Sequence, residues 1–313
     1  MRQEFASDIR YYLTLTPRQL PSRYLYDALG SALFEAICEL PWYSITRAEG
    51  RLLVGHRDDM LAQLPGLTRI VELGPGNGHK MSALLGGARR HAETLTAHLI
   101  DVSAQALTAA ARTLADVENL RVMTHQASFE AGIAHVGRLP GNPGRTLVLC
   151  LGSNIGNFDP PGSAEVLTRI RASIGRHDAL LLGADLVKPE RDLLLAYDDP
   201  LGVSAAFNLN LLVRLNRELG ANFDLRAFDH RAVWNGALSR MEMHLVARSA
   251  QRIHIEAADL EIDLMAGESI WTESSYKYRP NELVSFVERV GFRAHARWID
   301  ETDQCALMLF EAV

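Results

Sequence analysis

Hydrophobic and polar positions along this chain change period three times, and each change marks a different kind of element. Between residues 67 and 184 short apolar runs recur, separated by helical patterns. Ile70–Leu73, Thr96–Ile100, Arg121–His125, Thr146–Leu151 and Ala179–Ala184 read as strands. Thr146–Leu151 (Thr-Leu-Val-Leu-Cys-Leu) is apolar throughout, as expected of a parallel strand covered on both faces. Helical patterns begin near His79 and run over Ala104–Leu114 and Ser163–Ile174. This alternation predicts an α/β fold with a doubly wound parallel sheet. After Lys188 the pattern becomes a long helix over residues 200–219. From Arg240 it takes period two: Met241, Met243, Leu245 and Ala247 fall on one face, Glu242, His244 and Arg248 among those on the other. Ile253 and Ile255, then Leu260, Ile262 and Leu264, continue it, and an antiparallel sheet with one buried face is expected. A helix from Pro280 to about Val290 ends at Gly291, and two strands follow, Phe292–Trp298 and Cys305–Phe310. The first 47 residues are mostly helical in pattern.

The strand Ile70–Leu73 leads into Gly74-Pro-Gly-Asn-Gly78 and then a helix. Glycines suit a backbone that must turn tightly and admit a ligand closely. The N–H groups at the start of the next helix favour an electronegative ligand group. The next strand runs straight into Asp101, whose carboxylate can accept hydrogen bonds from both hydroxyls of a ribose. Strand, glycine turn, helix, strand and acid make a nucleotide-type site. The dinucleotide spacing G-x-G-x-x-G asks for glycine or alanine at position 79, where His79 stands. G-x-G-x-G with Glu72 two residues ahead instead resembles motif I of the class I S-adenosylmethionine (SAM)-dependent methyltransferases. A nicotinamide enzyme, and a glycine turn without a ligand, are the alternatives this stretch leaves open. Gly74, Asp101, Phe129, Gly152 and Asp185 all fall at or just beyond carboxyl ends of strands, where such sheets bind ligands.

Composition narrows the class of function. The chain has 313 residues, is 48% hydrophobic and 22% charged, and carries a formal charge of −6. Those values fit an ordinary globular protein, and without a lysine or arginine cluster a nucleic-acid partner is not expected. No apolar run reaches the length of a membrane span, and the N-terminal residues lack the apolar core of a signal peptide, so a cytoplasmic protein without a membrane partner is expected. Cys38, Cys150 and Cys305 are widely spaced, as reduced cysteines would be, and none stands beside a general base. The 11 histidines show no paired-ligand spacing, so no metal is expected. A monomer is the expectation for assembly.

Taken together, several short motifs resemble one family, the histidine Nα-methyltransferases of ergothioneine biosynthesis. They are Tyr24-Leu-Tyr-Asp-Ala-Leu-Gly-Ser-Ala-Leu-Phe34, Leu40-Pro-Trp-Tyr-Ser-Ile-Thr-Arg-Ala-Glu49, Val71-Glu-Leu-Gly-Pro-Gly76 with Lys80, and Leu151-Gly-Ser-Asn-Ile-Gly-Asn157. Ala196-Tyr-Asp-Asp199, Gly202-Val-Ser-Ala-Ala-Phe-Asn208 and Thr272-Glu-Ser-Ser-Tyr-Lys-Tyr-Arg-Pro280 complete them. The resemblance runs from about Leu20 to Phe310, and it is the order and spacing of the motifs that is specific. The family also has members that methylate other amines, so membership alone leaves the substrate open.

The resemblance implies a class I methyltransferase (Rossmann-like) sheet over residues 48–187 and 277–313. It also implies a second, substrate-binding domain from the N-terminal helices and the inserted antiparallel sheet, over residues 1–47 and 188–276, with a cleft between the two. It implies SAM as cofactor, S-adenosylhomocysteine as its product, and a small amino acid as the other ligand. The cofactor contacts it carries over fall on Gly74, Gly76, Lys80, Asp101, Ser128 and Phe129. Ser128 departs from the family's usual Asp; shorter and neutral, it can still accept a hydrogen bond. The amino-acid end of the substrate falls to Tyr43, Asn157 and Tyr197, the residues of catalytic positioning, and the imidazole to Glu273 and Ser275. Tyr26, Phe34 and Met243 line the pocket, and Gly152 leaves room beside it. The implied reaction is trimethylation of the α-amino group of L-histidine to hercynine. The alternative is N-methylation of another amino acid or aromatic amine such as tryptophan. Taken singly, Tyr43, Asn157 and Tyr197 also read as a surface aromatic, a turn residue and a buried helix tyrosine. Lys80, Phe129 and Met243 read equally well as a solvated lysine and two core residues.

Overall fold

The computed structural model describes residues 2–86, 94–139 and 144–313. The chain begins with helices α1 (Arg2–Leu13), α2 (Ala28–Glu39) and α3 (Ile45–Ala62). Asp27 starts α2 by accepting from the backbone N–H of Gly30 at 2.8 Å, which satisfies one of the donors every helix start leaves open. The α/β succession follows: β1 (Leu67–Leu73), α4 (His79–Leu85), β2 (Leu95–Asp101), α5 (Ala104–Leu114), β3 (Leu120–Gln126), α6 (Phe129–Gly137), β4 (Arg145–Cys150), α7 (Pro160–Ser173) and β5 (Ala179–Asp185). Helices α8 (Glu190–Tyr197) and α9 (Val203–Leu219) lead into strands β6 (Phe228–Asn235), β7 (Arg240–Ala247), β8 (Gln251–Ile255), β9 (Leu260–Leu264) and β10 (Ser269–Tyr276). Helix α10 (Pro280–Glu288) and strands β11 (Phe292–Asp300) and β12 (Cys305–Ala312) close the chain.

These elements form two compact units, Ile45–Val187 with Tyr276–Val313, and Met1–Ser44 with Lys188–Ser275. The first is built on a seven-stranded sheet in the order β11-β12-β5-β4-β1-β2-β3. Strands β1 to β5 pair in parallel, and β12 pairs antiparallel with both β5 and β11. This is the doubly wound, mainly parallel sheet that the alternation of strands and helices leads one to expect, with the antiparallel β12 and β11 at one edge. Every residue of β5 is buried, and one apolar cluster lies on each face. Leu99, Leu149 and Leu181 point to the side of α3, α4 and α5; Ile100, Val148 and Leu182 point to the side of α6, α7 and α10. Strand order reverses between β1 and β4, so the loops after these two strands part and leave the crevice where such sheets hold ligands.

The second unit holds two separate antiparallel pieces rather than the one sheet expected over residues 240–264. Strands β10, β7 and β6 form a three-stranded sheet with β7 central, and β8 and β9 form a ribbon of their own. The break falls at Arg248–Ala250, where the chain leaves β7, and β7 finds its second neighbour in β10 instead. The period-two face is as read: Met241, Met243, Leu245 and Ala247 are all buried. Among the described residues no helix is long and apolar enough to cross a membrane, and no cluster of three or more His, Cys, Asp or Glu could hold a metal ion. Cys38, Cys150 and Cys305 are free thiols.

Candidate active site

In the sheet-based unit the expected cofactor residues fall at or just beyond the carboxyl ends of β1, β2 and β3. Gly74, Gly76 and Gly78 all have positive φ, at 70°, 54° and 81°, so the loop takes a path that side chains would strain. The N–H of Gly74 donates to Ile100 O at 2.9 Å and ties the loop to β2. A Cβ on Gly74 would lie 2.6 Å from Asn154 Nδ2 and 3.2 Å from the Phe129 ring, so only glycine keeps this cradle open. Asp101 ends β2, with Oδ1 accepting from the Ser103 N–H at 2.8 Å, and burial pushes its pKa up. Phe129 opens α6 and packs near Phe158, ring centroids 6.4 Å apart. Ser128 is the N-cap of that helix, its Oγ accepting from the Ala131 N–H at 3.3 Å. Its hydroxyl therefore holds the helix start, a task an Asp at the same position would share.

Next to the glycine loop lies a buried charge cluster. Lys80, in the first turn of α4, pairs with Glu49 of α3 at 2.6 Å. Glu49 also accepts the N–H of Gly152. Glu72, at the end of β1, is fully buried, and neither carboxyl oxygen has a hydrogen-bond partner among the described residues. Burial above all pushes its pKa up to about 8, with Lys80 opposing and Glu49 and Asp101 adding to the rise. Beyond β4, Gly152 (φ 76°) and Ser153 (φ 56°) turn the chain into a short 3-10 helix, Asn154–Asn157, which ends on the half-buried Asn157. Asn154 Nδ2 donates to Leu73 O at 3.3 Å and so braces β1 where its loop begins.

The other unit gathers the remaining expected residues around a cluster of aromatic rings. Tyr26 meets Phe34 with centroids 5.6 Å apart, Phe34 meets Tyr43 at 6.1 Å, and Tyr43 meets Tyr197 at 6.3 Å. The first and last of these are edge contacts near 70°, the arrangement the ring quadrupole favours. Phe207 of α9 closes the group against Tyr26 and Phe34. Tyr197, the last residue of α8, donates its hydroxyl to Ser275 Oγ at 2.7 Å. Ser275 and Glu273 sit two apart on β10 and so share a face, and both are buried. Met243 lies on the neighbouring β7, where its carbonyl accepts from Thr272 Oγ1 at 3.0 Å. The backbone of Tyr197 is held from behind. Its carbonyl lies 2.8 Å from His230 Nε2, which must therefore carry the proton, and Asn208 Nδ2 donates to His230 Nδ1 at 3.0 Å.

The model of the family described as histidine-specific, SAM-dependent methyltransferases matches residues 5–312 of this chain. The chain belongs to that family. It is 42% identical to the histidine N-alpha-methyltransferase of Mycolicibacterium smegmatis over 96% of this chain and 93% of that protein. It is 39% identical to the protein of the same description from Mycobacterium tuberculosis, over 96% and 93% of the two chains. Ergothioneine biosynthesis protein 1 of Neurospora crassa is 30% identical over 82% of this chain, which spans 31% of that longer protein.

Three residues of this family member went unnoticed in the sequence. Phe207 and Asn154 lie inside motifs quoted for the resemblance, yet their neighbours drew the attention. Glu49 stands among exposed and buried positions of an ordinary-looking helix. It closes the motif Leu40–Glu49, and a second signal is indirect: a glycine, Gly183, interrupts the apolar run of β5, and that is where Glu49 enters.

Proposed function

We propose that this chain transfers methyl groups from SAM to the α-amino nitrogen of L-histidine, three times in succession, giving hercynine for ergothioneine biosynthesis. The observation that carries the reading is the buried pair Glu273 and Ser275 on one face of β10, with Ser275 hydrogen-bonded to Tyr197 beside Tyr43. A buried carboxylate favours N–H donors, and an imidazole N–H can add one. In return the carboxylate favours the protonated ring. An apolar amino acid gains no hydrogen bond from such a polar wall, which favours histidine over the substitute.

The residues of the sheet-based unit suit the cofactor. The cradle at Gly74 would hold its backbone-facing portion, Asp101 the ribose hydroxyls, Lys80 the carboxylate, and Ser128 and Phe129 the adenine. When bound, SAM supplies a methyl group activated by its sulfonium. The protein then has to present a neutral amine in line with that methyl, which is a task of orientation. Well-oriented reactants gain roughly 7–11 kcal/mol over free encounter. Tyr43, Asn157 and Tyr197 fix the amine and carboxylate of the substrate, Glu273 and Ser275 fix its ring, and Tyr26, Phe34 and Met243 bound the space around it. No side chain is required to act as a strong base if the amine sheds its proton to water before each transfer.

Mass spectrometry of an amino-acid mixture incubated with the protein and SAM tests the reading. Histidine should gain one, two and then three methyl groups on the α-nitrogen. Methyl groups on the imidazole, or equal reaction of the other amino acids, would overturn it.

A further inference from the structure

Glu49 is fully buried on α3, and the fold makes unusual provision for it. Its two oxygens accept the Gly152 N–H at 2.7 and 2.8 Å, and Oε2 lies 2.6 Å from Lys80 Nζ. A Cβ on Gly183, in the middle of the buried strand β5, would collide with Oε1. Glycine inside a strand weakens it and marks a place where another group comes close. A Cβ on Gly152 would in turn lie 2.8 Å from Lys80 Nζ. Two glycines therefore make way for one carboxylate and its ammonium partner. Stability is a poor reason for this arrangement, because a buried ion pair often does no better than apolar residues of the same volume.

We propose that Glu49 is a positioning residue that ties the ammonium of Lys80, on the cofactor side, and the turn at Gly152, on the substrate side, to a single anchor. This role rests on the reading that Lys80 faces the cofactor and Gly152 the amino acid. Lys80 has three N–H donors; Glu49 engages one and thereby fixes the directions of the others. Gly152 has a backbone N–H that would be unpaired without Glu49, and the turn that carries Asn154 to Asn157 starts from it. Glu72, another carboxyl group in this cluster, is held neutral by its burial, whereas Glu49 forms an ion pair with Lys80.

The isosteric variant Glu49→Gln separates the two ties. Its amide oxygen can still accept from Gly152, but no negative charge faces Lys80. Calorimetry with S-adenosylhomocysteine, in the absence of any amino acid, should show affinity reduced about 10- to 100-fold, the usual worth of a hydrogen bond to a charged group. The histidine KM, measured at saturating SAM, should change much less. In a Lys80→Met background, Glu49→Gln should then cost no further S-adenosylhomocysteine affinity. Gly183→Ala, which touches neither ligand but displaces Glu49, should weaken S-adenosylhomocysteine binding and raise the histidine KM together. Wild-type affinity in Glu49→Gln, or a full additional loss in the Lys80→Met background, overturns the role of Glu49. Wild-type protein that does not bind S-adenosylhomocysteine at all overturns the cofactor reading and this role with it. Wild-type protein that binds it but leaves histidine unmethylated overturns only the acceptor, and the binding test of Glu49 stands.

Discussion

A carboxyl group buried at the end of β1 with no hydrogen-bond partner among the described residues should leave a mark on stability. Glu72 is held protonated up to about pH 8 in the folded chain, whereas in the unfolded chain it ionises in the ordinary carboxylate range. Between these limits the folded state binds the extra proton, so stability falls as pH rises, by up to about 1.4 kcal/mol per unit. Glu72→Gln removes that dependence. Urea unfolding from about pH 5 to 9 should show the variant gaining on wild type with rising pH and the gain levelling off above about 8. Parallel curves would mean that Glu72 is ionised in the folded chain. At this scale the legible residues are those whose chemistry restricts the choice of amino acid. The glycine loop and Asp101 announced themselves because few residue types can make such a turn or hold a ribose. Glu49 did not, because an acid on a helix is ordinarily a solvated one, and only contacts remote in sequence show it to be buried.

Among the elements, those with an unbroken period were readable and those that carry polar chemistry were not. β1, β2, β4 and β5 stood out as apolar runs, and α5 and α9 as helices. Strand β10 escaped notice because Glu273 and Ser275 interrupt its buried face. Strand β6 has only two buried residues, Phe228 and Ala232, among charged neighbours. Helices α6 and α8 are short, 9 and 8 residues, and each places an expected site residue, Phe129 or Tyr197, at its end. Pattern is lost where a face serves a ligand instead of a core. The bond from Tyr197 to Ser275 joins α8 to β10, and its contribution should be cooperative. Tyr197→Phe and Ser275→Ala should each lower kcat/KM for histidine, and the double variant should fall short of the product of the two losses. The expected coupling is about 0.5–1.5 kcal/mol, the net worth of one hydrogen bond. Strictly multiplicative losses would show that the two hydroxyls act separately on the substrate.

For the molecule as a whole, the residues proposed to read the side chain and those proposed to hold the cofactor fall in different compact units, each assembled from two stretches of chain. Glu273 and Met243 belong to the unit built on β6, β7 and β10; Gly74, Lys80 and Asp101 belong to the seven-stranded sheet. The two sets share no residue, so changes in one should leave the other's ligand unaffected. Asp101→Ala should weaken S-adenosylhomocysteine binding by about 1.5–3 kcal/mol without altering the preference among amino acids. Glu273→Ala with Met243→Val should do the reverse. Histidine loses a charge-assisted hydrogen bond, while tryptophan loses no ionic partner and gains the space of a shorter side chain. The ratio of kcat/KM for histidine over tryptophan should therefore fall by about 10- to 100-fold, at unchanged S-adenosylhomocysteine affinity. Thr272, beside Glu273, binds the Met243 carbonyl through its hydroxyl, so β7 and β10 stay joined in the double variant and a folded protein is expected. A ratio that does not move in a folded variant that still binds S-adenosylhomocysteine would show that Glu273 and Met243 do not read the side chain. The preference for histidine would then have to come from Ser275 and the aromatic rings around Tyr197.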